Sequence, residues 1–195
     1  MPSPRFFKSL AVIVAVMGLA VAGRLAWLPS HGGGLFGGPF DLVSGTGQVV
    51  RDSDFRGRWM LVYFGYTSCP DQCPTSLAVM ARAVAGLPPA QQARVVPLFI
   101  TLDPERDTPE LVSDYAHAFS PAVIGLWGSP EAIAAVAKAY RVAYRKVPDS
   151  TGGYTLDHTS VIYLMSPDGK FARFYEHDVS LATITADLEH RLASP

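Results

Sequence analysis

Tyr66-Thr67-Ser68-Cys69-Pro70-Asp71-Gln72-Cys73-Pro74 carries both cysteines of this 195-residue chain. The run before it, Trp59-Met60-Leu61-Val62-Tyr63-Phe64, is continuously apolar and rich in β-formers, as a buried central strand is. After it, Leu77, Met80, Ala81 and Val84 recur with the period of one helix face. The cysteines therefore fall on a strand-to-helix loop. Pro74 suits the first helical position and disfavours helical backbone in the residue before it. Cys73 is thus expected as the cap residue, where free amides and the helix dipole favour an anion. Thiolates there should form below the free-cysteine pKa of about 8.5.

Two such thiols have two chemistries open to them. They can close a disulfide, which needs Cβ atoms roughly 3.5–4.5 Å apart. A regular helical i, i+4 pair stands about 5–6 Å apart, but a loop can adjust. They can instead hold a soft metal, since thiolates select Cu(I), Zn(II) or iron–sulfur clusters. Structural zinc takes four protein ligands and a cluster four cysteines, which fits this chain poorly. Cu(I) accepts fewer, and two sulfurs with one nitrogen would suffice.

Outward from the loop, the N-terminus reads as an appendage. Arg5 and Lys8 precede Ser9 to Gly23, fifteen residues without a charge. From Leu10 to Leu28 a helix would run about 28 Å, near the bilayer core of about 30 Å. Arg24 could snorkel outward, with Trp27 at the interface. Basic residues before the span place the remainder of the chain outside. Residues 1–28 are therefore expected to be a membrane anchor; Ala20-Val21-Ala22 admits a cleaved signal peptide instead. Residues 29–39 form a Gly-rich linker holding His31, read as solvated. Residues 40–195 form one domain. A net charge of −1 and no basic block argue against nucleic acid as a partner.

Within the domain, Phe40 to Val50 reads as a hairpin turning at Ser44-Gly45-Thr46-Gly47. The first helix ends near Gly86. Val95 to Thr101 is a second apolar strand, with Pro97 suggesting a bulge or an edge. A polar loop, Asp103 to Asp107, follows, in which Arg106 and Asp107 could form an ion pair. Thr108-Pro109 and Ser129-Pro130 open helices in the same grammar as Cys73-Pro74, with a hydroxyl as cap. Val123 to Leu126 and Val142 to Val147 read as strands. Ser160 to Met165 and Lys170 to Tyr175 form a closing hairpin, and a last helix begins near Ser180. Strands alternating with helices imply an α/β sandwich. A cysteine pair after the first central strand, at a helix start, is a thioredoxin-like layout. The expected architecture is a thioredoxin-like sandwich with an N-terminal β-hairpin, preceded by one transmembrane helix.

Three motifs together resemble the Sco/SenC family: the cysteine stretch Tyr66 to Pro74, the loop Thr101-Leu102-Asp103-Pro104-Glu105-Arg106-Asp107-Thr108-Pro109, and Asp157-His158-Thr159. The resemblance covers roughly Phe40 to Leu192. It implies a membrane-tethered, thioredoxin-fold copper protein that helps assemble the CuA centre of cytochrome c oxidase. Matched by position, Cys69, Cys73 and His158 become ligands of one copper ion. The implied partners are the CuA-bearing oxidase subunit, a periplasmic copper donor and a thiol reductant. The implied location is a bacterial inner membrane, with one N-terminal span and the domain in the periplasm.

His158 also stands before an apolar strand, at a strand end, where α/β folds place site residues. As a ligand it must be neutral, so metal affinity should fall in acid. Asp157 is a possible orienting group for it, although adjacent residues on an extended chain point opposite ways. His117, His177 and His190 read as surface or packing residues, and Met60, Met80 and Met165 as core. Asp71 and Gln72 should be exposed and available to a docking partner. The leading function is a metallochaperone rather than an enzyme. The alternative is a thiol–disulfide reductase in which Cys69 and Cys73 cycle through a disulfide, although three residues separate them where thioredoxin-like redox motifs have two.

Overall fold

The structure is a computed structural model that describes residues 35–150 and 152–193. The expected anchor, residues 1–28, and the linker up to Gly34 with His31 lie outside the described residues. Among the described residues no helix is long and apolar enough to cross a membrane. Packing begins within the expected linker: Phe36 stacks on Phe171 at 4.7 Å, and the Gly37 amide donates to Ala139 O.

In chain order the elements are β1 (Asp41–Ser44), β2 (Val49–Arg51), β3 (Trp59–Gly65), α1 (Gln72–Ala85), α2 (Pro89–Gln92), β4 (Val95–Thr101), α3 (Pro109–Phe119) and β5 (Ile124–Trp127). Then come α4 (Pro130–Tyr140), β6 (Tyr144–Pro148), β7 (Tyr154–His158), β8 (Val161–Met165), β9 (Phe171–Glu176) and α5 (Leu181–Leu192). Seven strands form one sheet in the order β2-β1-β5-β4-β3-β8-β9. Its centre is parallel: β3 pairs with β4, and β4 with β5. The hairpins β1–β2 and β8–β9 extend it on either side in antiparallel fashion. β6 and β7 pair only with each other, as a separate two-stranded ribbon.

The apolar runs go where continuous hydrophobicity sends them. β4 is buried throughout, and β3 throughout except Trp59. One face meets α4, whose Tyr140 ring contacts Phe64 of β3 and Tyr163 of β8. The opposite face carries Tyr63, Gly65 and Phe99, and Phe99 contacts Tyr115 of α3. Both proline-led caps form as expected: Thr108 and Ser129 each accept from the third amide of their helix. Gly125 lets α3 lie close to β5, because a Cβ there would stand 2.5 Å from Val112 O.

Two local readings need correction. Pro97 makes neither a bulge nor a sheet edge; β4 is central, and its register with β3 runs unbroken through Pro97 opposite Leu61. β5 pairs only from Leu98 onward, so at Pro97 that side of the strand has no ladder to interrupt. The first helix starts two residues earlier than expected, with Asp71 as its cap and Cys73 as its second residue. Pro74 is tolerated third because the first amides of a helix have no partner within it. The first amide to bond back is that of Thr75, to Asp71 O.

Candidate metal centre

The loop after β3 turns at once: the Cys69 amide donates to Tyr66 O at 3.2 Å. Cys69 is half-buried, whereas Cys73, one turn on, is 0% exposed. Gly65 makes that burial possible, because a Cβ on it would stand 2.7 Å from Cys73 Sγ. His158 arrives from the end of β7, and its Nε2 lies 3.7 Å from Cys73 Sγ. The ligand atoms of Cys69, Cys73 and His158 all lie within 4.8 Å of one another. The two thiols are separate in this structure.

The imidazole has a defined orientation. Nδ1 lies 3.0 Å from Thr159 O. A carbonyl can only accept, so Nδ1 carries the proton and Nε2 turns its lone pair toward the sulfurs. Asp157 does not do this work; it pairs with Arg145 on the surface, as the alternation along an extended chain requires. The rings of Tyr63 and Tyr66 stand edge-on to the imidazole, with centroids 6.4 and 5.9 Å away.

The two thiols are shifted in opposite directions. The neighbouring Cys73 side chain pulls Cys69 down to about 3 against the cost of partial burial, while Cys73 Sγ itself meets His158 Nε2 at 3.7 Å. The amides of Asp71 and Cys73 at the start of α1 help in the same direction. Cys73 moves the opposite way, pushed up by its bond to Cys69 and then by burial. The helix end therefore serves Cys69, not both thiols as the sequence suggested. Burial first, and the neighbouring thiols after it, keep the Tyr63 phenol above its ordinary value.

One polar loop holds both halves of the centre. Asp107 is 3% exposed; its carboxylate accepts from the Thr67 amide at 3.2 Å and from the hydroxyls of Thr67 and Thr101. That fixes the cysteine loop. Asp103 is 2% exposed; it accepts from Tyr154 Oη at 2.8 Å and pairs with Arg106. Arg106 in turn stacks 3.8 Å over the Tyr154 ring and donates to Tyr154 O. That fixes β7 at the end opposite His158. The expected Arg106–Asp107 pair is thus replaced by Arg106–Asp103. Nothing in the local sequence marks Asp103 and Asp107 as clamps, since their partners lie 51 and 40 positions away.

A cleft of about 450 Å³ opens over the centre, lined by Tyr66, Cys69, Pro70, Arg145, Leu156 and His158 among others. Asp71 and Gln72 are exposed at its rim, as expected. His117, His177 and His190 are exposed and take no part, and Met60, Met80 and Met165 are core.

A thioredoxin-like domain with a Cys-Cys-His cluster at the start of its first main helix defines the class. The SCO1/SenC family profile matches residues 29–193, and the chain belongs to that family. It is 45% identical over 157 residues to the mitochondrial SCO1 homolog 1 of Arabidopsis thaliana, covering 80% of this chain and 47% of that protein. The chain thus spans about half the length of that curated relative. The crystal structure of Arabidopsis thaliana ScoI with copper bound superposes with a TM-score of 0.75 at 39% identity, covering 82% of this chain and 99% of that one. BsSco, described as a member of the Sco family of cytochrome c oxidase assembly proteins, superposes with a TM-score of 0.65 at 25% identity over 82% of this chain and 95% of that one.

Proposed function

We propose that this chain carries one copper ion on Cys69, Cys73 and His158 and delivers it to the CuA-bearing subunit during cytochrome c oxidase assembly. The observation that carries the reading is the convergence of two sulfurs and one imidazole nitrogen within 4.8 Å. The donor set fits the cargo: thiolates favour Cu(I), and a neutral imidazole completes a soft, low-coordinate site. Cys69 already offers a thiolate, Cys73 gives up its proton as the ion enters, and His158 Nε2, which meets Cys73 Sγ at 3.7 Å, turns a lone pair to the ion. Release proceeds by ligand exchange at the half-exposed Cys69. The copper-bound Arabidopsis relative and the assembly role of the Sco family support the reading. Residues 1–28 would tether the domain to a bacterial inner membrane on its periplasmic side, where a copper donor and a thiol reductant serve it.

The test is copper stoichiometry and x-ray absorption on the reduced full-length chain. One copper per chain is expected with sulfur and nitrogen scatterers, and Cys69→Ala, Cys73→Ala and His158→Ala should each lose it. Tight binding that survives all three changes overturns the proposal.

The lowered Cys69 thiol favours a second reading, thiol–disulfide exchange. The Cys69 thiolate would attack a partner disulfide, and Cys73 would resolve the mixed disulfide. The partner leaves as a dithiol, and the Cys69–Cys73 disulfide then takes two electrons from a thiol reductant. Oxidase assembly rescued by reductant alone, and not by copper alone, would select this reading over copper delivery.

A further inference from the structure

Behind Cys73 the core holds hydroxyls with no evident task. Tyr63 is 0% exposed and Ser76 1%, and neither hydroxyl has a hydrogen-bond partner among the described residues. Tyr63 Oη neighbours the Cys73 sulfur and the Ser76 hydroxyl but meets neither at hydrogen-bond geometry. Tyr63 and Cys73 border the same space: Tyr63 Cε1 and Cys73 Sγ both crowd the point where Gly65 would carry a Cβ. A phenylalanine would fill the same apolar volume without stranding a donor.

A thiol sulfur is a weak acceptor, and Cys73 Sγ already meets His158 Nε2 at 3.7 Å. When copper enters, Cys73 becomes a thiolate in a place water does not reach. A buried anionic sulfur needs a donor, and the Tyr63 hydroxyl stands beside it. We infer that Tyr63 donates a hydrogen bond to the Cys73 thiolate in the copper-loaded protein, as a positioning residue that draws charge from the ligand sulfur. The inference rests on the copper reading above. A donor at a ligand sulfur lowers its electron density, stabilises the lower oxidation state and raises the energy of sulfur-to-copper charge transfer.

The test compares the full-length chain in detergent with Tyr63→Phe and Ser76→Ala, metal-free and copper-loaded. Tyr63→Phe should keep one copper, lose roughly 10-fold in Cu(I) affinity, move the charge-transfer band of the Cu(II) form to lower energy and lower its potential. Its metal-free form should melt no lower than wild type, because an unmet hydroxyl has been removed, while its copper form melts lower. Ser76→Ala should leave band and potential in place. An unshifted band in Tyr63→Phe, equal loss of melting temperature in both forms, or the whole shift appearing in Ser76→Ala overturns the inference. Wild-type protein that takes up no copper sinks the carrier reading itself, whereas normal loading with an unshifted Tyr63→Phe band sinks only this one.

Discussion

The two halves of the centre are built by different means. The sulfurs belong to the interior: Cys73 is sealed behind β3, and its position follows from a continuous strand, a helix and one glycine. The imidazole arrives on β6–β7, a two-stranded ribbon outside the main sheet whose β6 residues are largely exposed. Hydrophobic burial places the first half; hydrogen bonds and ion pairs place the second. The Asp103–Asp107 loop is where the two meet. The contrast shows how a rigid core can present sulfur while a separately fixed strand supplies nitrogen.

Substitutions that strike one side only should sharpen the contrast. The largest effect should appear in Cys69 reactivity. Its folded value of about 3 lies far below that of a free thiol, so it stays a thiolate as pH falls through the neutral range. Alkylation of the reduced, metal-free protein should run at similar rates at pH 5 and pH 8, where a thiol of pKa about 8.5 would slow roughly 10³-fold. Cys73→Ala removes the bond chiefly responsible and should restore much of the ordinary pH dependence. A steep dependence in wild type would show that Cys73 does not hold Cys69 as a thiolate.

Asp107→Ala comes next. It strands the buried Thr101 hydroxyl and frees Thr67, at a cost of about 1–3 kcal/mol. Chemical denaturation should register that loss, and hydrogen exchange should quicken at Thr67 more than in β7. Tyr154→Phe attacks the other side. Loss of its bond to Asp103 should cost about 1 kcal/mol and weaken the hold on β7, with exchange quickening in the ribbon and not in the cysteine loop. Equal changes on both sides would dissolve the distinction. The smallest effect belongs to Lys146→Ala. Its pair with Glu105 at 2.6 Å is solvated, so melting temperature and copper affinity should match wild type.

The same division decides what the sequence could show. Elements with an apolar period or a local cap were legible: β3, β4, both hairpins of the main sheet, and helices opening at Thr108, Ser129 and Ser180, each of which accepts from the third amide. Cys69 and Cys73 were legible as a reactive pair because their loop joins two such elements. The independence of the β6–β7 ribbon was not, since Tyr144-Arg145-Lys146 has no apolar face to declare what it packs on. Nor were the buried carboxylates, because acidic residues are rarely buried and their partners are remote in the chain. Gly65 lies just past the apolar run and carried no reading of its own; that it clears space for sulfur emerges only in three dimensions.

The complete burial of Cys73 leaves Cys69 as the sulfur that faces the cleft. A visiting thiol must approach from the Cys69 side, so exchange begins there and the inner sulfur releases its hold last. On either proposed reading the traffic would have a built-in order, and a trapped intermediate should join a partner through Cys69 alone.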